Sequence, residues 1–136
     1  MREINLIVVH CSATRADRDF TENDLEVCHR HRGFNGAGYH FYIRKNGDIK
    51  NTRPLEKPGA HALGYNARSI GICYEGGLDA DEKPKDTRTL EQKGALLALL
   101  RELKRQFPKA LIVGHHDLNP MKGCPCFDAV KEYRQV

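Results

Sequence analysis

Apolar residues recur along this chain with two periods, one typical of strands and the other of helices. Four runs are apolar over most of their length and rich in β-branched and aromatic residues, as buried strands usually are. These runs span residues 4–10, 38–45, 69–74 and 110–113. The pair Asn46-Gly47 is a strong tight-turn signal, so we expect a hairpin that returns through Ile49.

Two longer stretches between these runs have the period of a helix. Thr21 is a candidate N-cap with Asp24 three residues later, and Gly33 predicts the end of this first helix. The second stretch, 89–107, predicts a long helix that ends before Pro108. Its leucines are expected to form one apolar face: Leu90, Leu96, Leu97, Leu100 and Leu103.

The order of these elements defines the expected fold class. Strands that alternate with helices predict an α/β domain, in which a central mixed β-sheet is flanked by helices. Residues 127–134 predict a short last helix. A chain of 136 residues, of which 40% are hydrophobic and 29% charged, has the size and composition of a single globular domain spanning 1–136.

Composition and charge argue against several classes of partner. No stretch approaches the roughly 20 apolar residues of a membrane helix, and the N-terminus lacks a secretory signal pattern. We therefore expect a protein that is cytoplasmic as synthesised, or else a mature form whose signal has been removed. In either case we expect no membrane partner and, by default, a monomer. The net charge of +4 comes without a dense Lys/Arg run, so no nucleic-acid partner is expected. This mild excess is compatible with an anionic polymer such as the bacterial cell wall.

The five cysteines are an odd number and do not suggest a disulfide framework. Cys11, Cys28 and Cys73 fall within predicted strands or a helix, where a small buried hydrophobic residue is the usual role. Cys124 and Cys126 differ from them, because they lie in a loop that closely follows two histidines.

The most informative stretch is 111–126, Leu-Ile-Val-Gly-His-His-Asp-Leu-Asn-Pro-Met-Lys-Gly-Cys-Pro-Cys. Neutral imidazole and thiolate are preferred zinc ligands, and His10 at the end of the first strand supplies a third candidate. Adjacent strand residues point to opposite sides, so only one of His115 and His116 is expected to ligate. Only one of the two nearby cysteines is expected to ligate as well. Two histidines and one cysteine leave a position for water, which is the catalytic pattern.

Five motifs occur in a fixed order along almost the whole chain. They are VHCSAT at 9–14, GYHF at 38–41, GYNARSIGI at 64–72, GHHD at 114–117 and KGCPCFD at 122–128. With these motifs the chain resembles the type-2 N-acetylmuramoyl-L-alanine amidases. It is most similar to the short phage lysozyme-amidases and more distantly similar to the peptidoglycan recognition proteins.

The resemblance implies the fold, the activity and one zinc ion. The implied reaction is hydrolysis of the amide between the lactyl group of N-acetylmuramic acid and L-alanine in bacterial peptidoglycan. The family's zinc ligands fall on His10, His115 and Cys124, and its catalytic positions fall on Tyr39 and Lys122. The tyrosine is then expected to hold or deprotonate the attacking water, and the lysine to stabilise the oxyanion.

The resemblance also places substrate-binding residues in the loop between 51 and 68. We expect His61, Tyr65 and Asn66 to contact the peptidoglycan, and Arg53 to pair with a carboxylate of the stem peptide. One departure from the phage enzymes is a loop between the second and third ligands that is one residue longer, near Met121.

Two other classes of function compete with the amidase hypothesis. A non-catalytic peptidoglycan-binding module of the same fold lacks a metal ligand in some recognition proteins, whereas all three ligand positions are filled here. An unrelated domain with a structural zinc would need a fourth protein ligand, either His116 or Cys126. The biological setting of this bacteriolytic activity is left open, since a phage or prophage lysin, an antibacterial effector and a wall-recycling enzyme all fit.

Overall fold

The computed structural model describes residues 2–136, which contain seven strands and four α-helices. The strands are β1 (Leu6–Cys11), β2 (Thr14–Arg15), β3 (Phe41–Ile43), β4 (Ile49–Asn51), β5 (Ser69–Tyr74), β6 (Gly77–Leu78) and β7 (Leu111–Gly114). The helices are α1 (Glu22–His31), α2 (Leu90–Gln106), α3 (His115–Leu118) and α4 (Ala129–Glu132). A 3₁₀ turn at Asn66–Arg68 precedes β5.

Five strands form one mixed sheet in the order β4-β3-β5-β1-β7. The four strands from β3 to β7 in that order are parallel, and only β4 runs antiparallel to its neighbour β3. Strands β2 and β6 pair in a second, two-stranded sheet that the apolar pattern does not predict. The expected fold class, a central mixed sheet flanked by helices, is confirmed.

The two faces of the sheet are covered by different helices. Leu96 and Leu100 of α2 are fully buried in a core cluster with Ile70 and Ile72 of β5. On the opposite face, Leu25 of α1 packs in a smaller cluster beside β3 and β5. Each fully buried leucine or isoleucine contributes on the order of 1.5–3 kcal/mol, and burial on both faces is typical of parallel strands.

The apolar face of α2 differs from the prediction at its first turn. Leu90 is 83% exposed, because it is the first residue after the N-cap Thr89 and faces solvent. Gln92 is buried in the same turn, and its Nε2 donates hydrogen bonds to the carbonyl oxygens of Ile43 and Glu75 at 3.2 and 2.9 Å. A polar side chain therefore anchors α2 to the sheet where a leucine was expected.

Two local expectations about the first helix had different outcomes. The capping box of Thr21 and Asp24 is confirmed, with each side chain bonded to the other residue's backbone N–H. The prediction that Cys28 is buried is wrong, since its side chain is exposed. The buried residues of α1 are Leu25 and His29, which are four positions apart and therefore lie on one face.

The two adjacent histidines also lie on a different element from the one expected. Strand β7 ends at Gly114, and His115 and His116 begin the short helix α3. Strand alternation therefore does not separate these two side chains, although the helical turn still sends them to different partners. Across residues 2–136, no helix combines the length and the apolar character that crossing a bilayer requires.

Candidate active site

Three potential metal ligands meet at the edge of the sheet where parallel strands end. His10 is the penultimate residue of β1, and His115 directly follows β7, which pairs with β1 in parallel. Their rings consequently lie side by side, with centroids 4.5 Å apart. Cys124 reaches the same place from the loop after α3, so that potential ligand atoms of the three residues lie within 4.8 Å of one another.

Cys124 is held at this edge by hydrogen bonds to its sulfur, to its own carbonyl oxygen and to the carbonyl oxygen of Pro125. The backbone N–H of Cys11 donates to Cys124 Sγ at 3.0 Å, a hydrogen bond that is stronger to a thiolate than to a thiol. The N–H of His116 donates to the Cys124 carbonyl at 2.9 Å. The hydroxyl of Tyr74 donates to the Pro125 carbonyl at 2.7 Å. These bonds aim the sulfur at the two histidines.

The other member of each candidate pair is directed elsewhere. His116 Nδ1 lies 3.2 Å from the Cys124 carbonyl oxygen, and its Nε2 lies 3.3 Å from a carboxylate oxygen of Asp117. Cys126 has a left-handed backbone with φ of 71°, and its Sγ lies 3.5 Å from the Gly77 carbonyl oxygen. The geometry therefore groups His115 and Cys124, rather than His116 and Cys126, with His10.

Burial controls the charge of both histidines in this group. It lowers the pKa of His10 well below its usual 6.5, an effect that His61 and His115 reinforce as potential positive charges. The pKa of His115 is also lowered, first by burial and then by the nearby Lys122 ammonium. Both imidazoles are consequently neutral at neutral pH, which is the form that binds a metal.

These residues fit a zinc ion. Two neutral imidazoles and a thiolate match the ligand set of catalytic zinc sites, which keep a fourth position open. The bond lengths of tetrahedral zinc bring ligand atoms to about 3.3–3.6 Å from one another. The potential ligand atoms lie within 4.8 Å of one another, so their spacing approaches that of a bound ion's ligands.

A cavity of about 600 Å³ opens beside these three potential ligands, and Tyr39 and Lys122 line it. The Tyr39 ring lies 4.9 Å from that of His10, and burial raises its pKa well above the usual value of 10. Its phenol therefore stays protonated at neutral pH. Lys122 is exposed at the rim, and the neighbouring Met121 is 89% exposed, so this loop extends into solvent while the lysine still lines the cavity.

A family model described as N-acetylmuramoyl-L-alanine amidase matches residues 1–127 of the chain. The chain belongs to this amidase family. The match covers more than nine-tenths of the amidase and includes every residue of the metal group, so the resemblance drawn from the ordered motifs is confirmed.

Relatives of the amidase include phage enzymes. The endolysin of Enterobacteria phage K11 is 41% identical over 127 residues, which cover 93% of this chain and 83% of that protein. A solved structure, the N-acetylmuramoyl-L-alanine amidase LysC from Clostridium intestinale URNW, has a TM-score of 0.80 and 33% identity. The matched region covers 97% of this chain and 83% of the LysC chain. Wild-type Drosophila PGRP-LB shares the fold, with a TM-score of 0.80 at 22% identity over 99% of this chain and 82% of its own.

The residues predicted to bind substrate lie in three different environments. Tyr65 is exposed at the rim of the cavity. His61 and Asn66 line the cavity, but the Asn66 side-chain oxygen accepts hydrogen bonds from the backbone N–H groups of His61 and Ala62 at 2.9 and 3.0 Å. Arg53 is not brought into the cavity, because its guanidinium donates to backbone carbonyls elsewhere in the loop and before β3.

Sequence reasoning missed a second wall of the cavity, formed by the end of α1 and the turn after it. His29, Arg32 and Phe34 line this wall. The His29 ring is buried, accepts a hydrogen bond from the Gly38 N–H at 2.8 Å and contacts both Phe34 and Tyr39. The sequence does hold one signal for this wall. The first helix is predicted to end at Gly33, only five residues before the Gly-Tyr-His-Phe motif, so its end has to lie close to Tyr39.

Proposed function

We propose that this amidase is zinc-dependent and hydrolyses the bond between the lactyl group of N-acetylmuramic acid and L-alanine in peptidoglycan. One observation carries the proposal: His10, His115 and Cys124 converge at the edge of a cavity, which is lined by two of them, His115 and Cys124, together with Tyr39 and Lys122. Membership of the N-acetylmuramoyl-L-alanine amidase family supports the choice of bond. The similarity to phage endolysins supports peptidoglycan as the substrate.

His10, His115 and Cys124 would hold the zinc, with the histidines neutral and the cysteine as thiolate. Zinc bound there supplies a Lewis acid that lowers the pKa of water and polarises a carbonyl. The surrounding side chains set the geometry of the reaction. Tyr39 keeps its proton at neutral pH, so it orients the attacking water through its hydroxyl rather than acting as a base.

Lys122 acts on the carbonyl side of the reaction. Its ammonium lies at the cavity rim on the loop that carries Cys124, where it stabilises the negative charge that develops on the scissile carbonyl oxygen. Among the described residues that line the cavity, none is acidic. A carboxylate therefore does not act as the general base within this cavity, which favours activation of water by metal and hydrogen bonding.

The proposal extends to the whole chain and to its place of action. Residues 1–136 act as one zinc amidase domain and as a monomer, and the protein reaches the cell wall after release or export. A non-catalytic peptidoglycan-binding module of the same fold is the rival. The complete metal group argues for the enzyme, because a binding module has no need of a nucleophile.

Digestion of purified peptidoglycan separates the two functions. The amidase should generate new L-alanine amino termini, lose this activity when a chelator removes metal, and regain it when zinc is added back. Binding without cleavage by the zinc-loaded protein would support the rival module. New reducing sugar ends instead of amino termini would contradict the amidase proposal.

A further inference from the structure

His61 lines the cavity, but both of its ring nitrogens are directed at neighbouring side chains, one of which is the proposed zinc ligand His10. Its Nδ1 is 2.8 Å from Nε2 of His10, and the two rings meet edge to face with centroids 4.8 Å apart. The other ring nitrogen of His61 lies 3.2 Å from the hydroxyl of Ser69, which is fully buried at the start of β5. The three side chains form a row that runs from the ligand into the sheet.

We infer that His61 is a positioning residue, which fixes the tautomer and the orientation of His10 so that Nδ1 of His10 presents a lone pair to the metal. The inference rests on the proposed zinc dependence. A metal-ligating histidine usually donates its second ring N–H to an acceptor, and this acceptor supports metal affinity. In this chain the acceptor is a second histidine.

The direction of the hydrogen bonds follows from the ring chemistry. Between His10 Nε2 and His61 Nδ1 one nitrogen must donate and the other accept, since neutral imidazole carries one N–H. If His61 donated, His10 would carry its proton on Nδ1 and could not ligate a metal through that atom. The arrangement that leaves His10 Nδ1 free has His10 donating to His61 and His61 donating to the Ser69 hydroxyl.

Two glycines allow the His61 ring to occupy this position. A Cβ added to Gly71 would lie 2.6 Å from the ring, and a Cβ added to Gly59 would lie 2.4 Å from it. Both distances are far below van der Waals contact, so the ring packs directly on bare backbone. Gly71 and Ser69 are two positions apart on β5 and face the same side, so one strand supplies both the space and the hydroxyl.

The backbone of His61 is fixed independently of its ring. The Asn66 side-chain oxygen accepts hydrogen bonds from the N–H groups of His61 and Ala62, which closes the loop before the 3₁₀ turn. Backbone, ring face and both ring nitrogens are thus all engaged by the protein. A side chain held in this way has no free hydrogen-bonding group left for substrate.

Zinc affinity of the full chain tests the role of His61 directly. In His61→Asn the amide oxygen takes the place of Nδ1 and can still accept from His10, whereas His61→Leu removes the acceptor. We expect the zinc dissociation constant, measured by competition with a chromophoric chelator, to rise about 10–100-fold in His61→Leu. In His61→Asn it should stay within about three-fold of the wild type, because the hydrogen bond is retained.

Other outcomes would overturn the inference. If His61→Leu binds zinc as tightly as the wild type and only its KM for muropeptide rises, His61 is a substrate contact. If both variants lose zinc affinity equally, a hydrogen-bond acceptor at position 61 does not account for the effect on zinc binding. Should His61→Leu fail to fold, Ser69→Ala replaces it, and its zinc affinity is expected to fall by about two- to ten-fold. An unchanged zinc affinity in Ser69→Ala would refute the role of the hydrogen bonds that run from His10 through His61 to Ser69. A wild-type protein that binds no zinc would instead overturn the proposed function itself.

Discussion

His10 and Cys124 belong to the same proposed metal group but are held in place by different means. His10 lies on the interior strand β1, which pairs with β5 on one side and β7 on the other, and is 1% exposed. Cys124 lies in a partly exposed loop that depends on a few individual hydrogen bonds, from Cys11, His116 and Tyr74. The sheet therefore determines where the group lies, and the loop determines whether it is complete.

The largest effect should come from the ligand that the loop supplies. Cys124→Ala should abolish zinc binding and lower amidase activity by more than about 100-fold, beyond the range of changes outside the ligand sphere. Cys126→Ala is the matched control two residues away, and it should keep both properties because its sulfur faces Gly77. For both variants, the measurements are the zinc content of the purified protein and the release of L-alanine amino termini from peptidoglycan. If Cys126→Ala lost zinc and activity while Cys124→Ala kept them, Cys126 would be the metal ligand.

A second change in the loop should separate catalysis from metal binding. Lys122→Met should lower kcat by about 100-fold, the cost of removing one stabilising group for an oxyanion. Its zinc affinity should stay close to that of the wild type, because Lys122 is not one of the three proposed ligands. Lys57→Met, at an exposed position outside the cavity lining, is the control and should retain kcat. An unchanged kcat in Lys122→Met would remove this lysine from the mechanism.

Beside the sheet, the burial of His40, which directly precedes β3, should give a pH dependence of the free energy of unfolding. Burial lowers the pKa of His40 from 6.5 to about 4, so between these values the unfolded chain binds a proton that the folded chain does not. His40 should therefore contribute a fall of up to about 3 kcal/mol to the free energy of unfolding as the pH drops through this window.

His40→Asn tests that pH dependence in the folded sheet. Asparagine keeps an acceptor for the Gly71 N–H, which bonds His40 Nδ1 at 3.0 Å, but it does not titrate. Denaturant unfolding at a series of pH values should therefore give a shallower decline for the variant. Equal declines for both proteins would assign the effect to other groups.

The smallest effect is expected from weakening the hydrogen bonds that hold the loop carrying Cys124. Tyr74→Phe removes the buried hydrogen bond to the Pro125 carbonyl and should lower the free energy of unfolding by about 1–3 kcal/mol. It should also weaken zinc binding a few-fold, because the loop carrying Cys124 loses one of its few anchors. Tyr65→Phe, at an exposed ring, should change neither quantity. Equal behaviour of the two variants would mean that the loop is anchored elsewhere.

Much of the fold followed from local sequence patterns, and the exceptions have a common cause. The periodicity of α2 and the alternation of strands with helices are local properties, so the layers could be predicted. Leu90 and Gln92 exchanged their expected burial because the start of α2 meets the backbone carbonyls of Ile43 and Glu75. That contact joins residues more than fifteen positions apart, which periodicity does not encode.

The candidate site was predictable to the extent that it depends on ordered motifs. Spacing left two histidines and two cysteines as alternatives, and the family resemblance selected among them. The structure brings the selected residues together, for reasons that strand alternation did not supply, since His115 begins a helix. The environments of His61 and Arg53 depend on contacts with β1 and with backbone carbonyls, so the sequence indicated only that they share a loop.

Titration of metal-free protein with zinc tests the central claim most directly. Release of L-alanine amino termini from a purified muropeptide should rise in proportion to added zinc and reach its maximum at one equivalent per chain. Cys124→Ala should show no rise over the same range, and Cys126→Ala should follow the wild type. Full activity before zinc is added, or a maximum at two equivalents, would contradict a single zinc held by His10, His115 and Cys124.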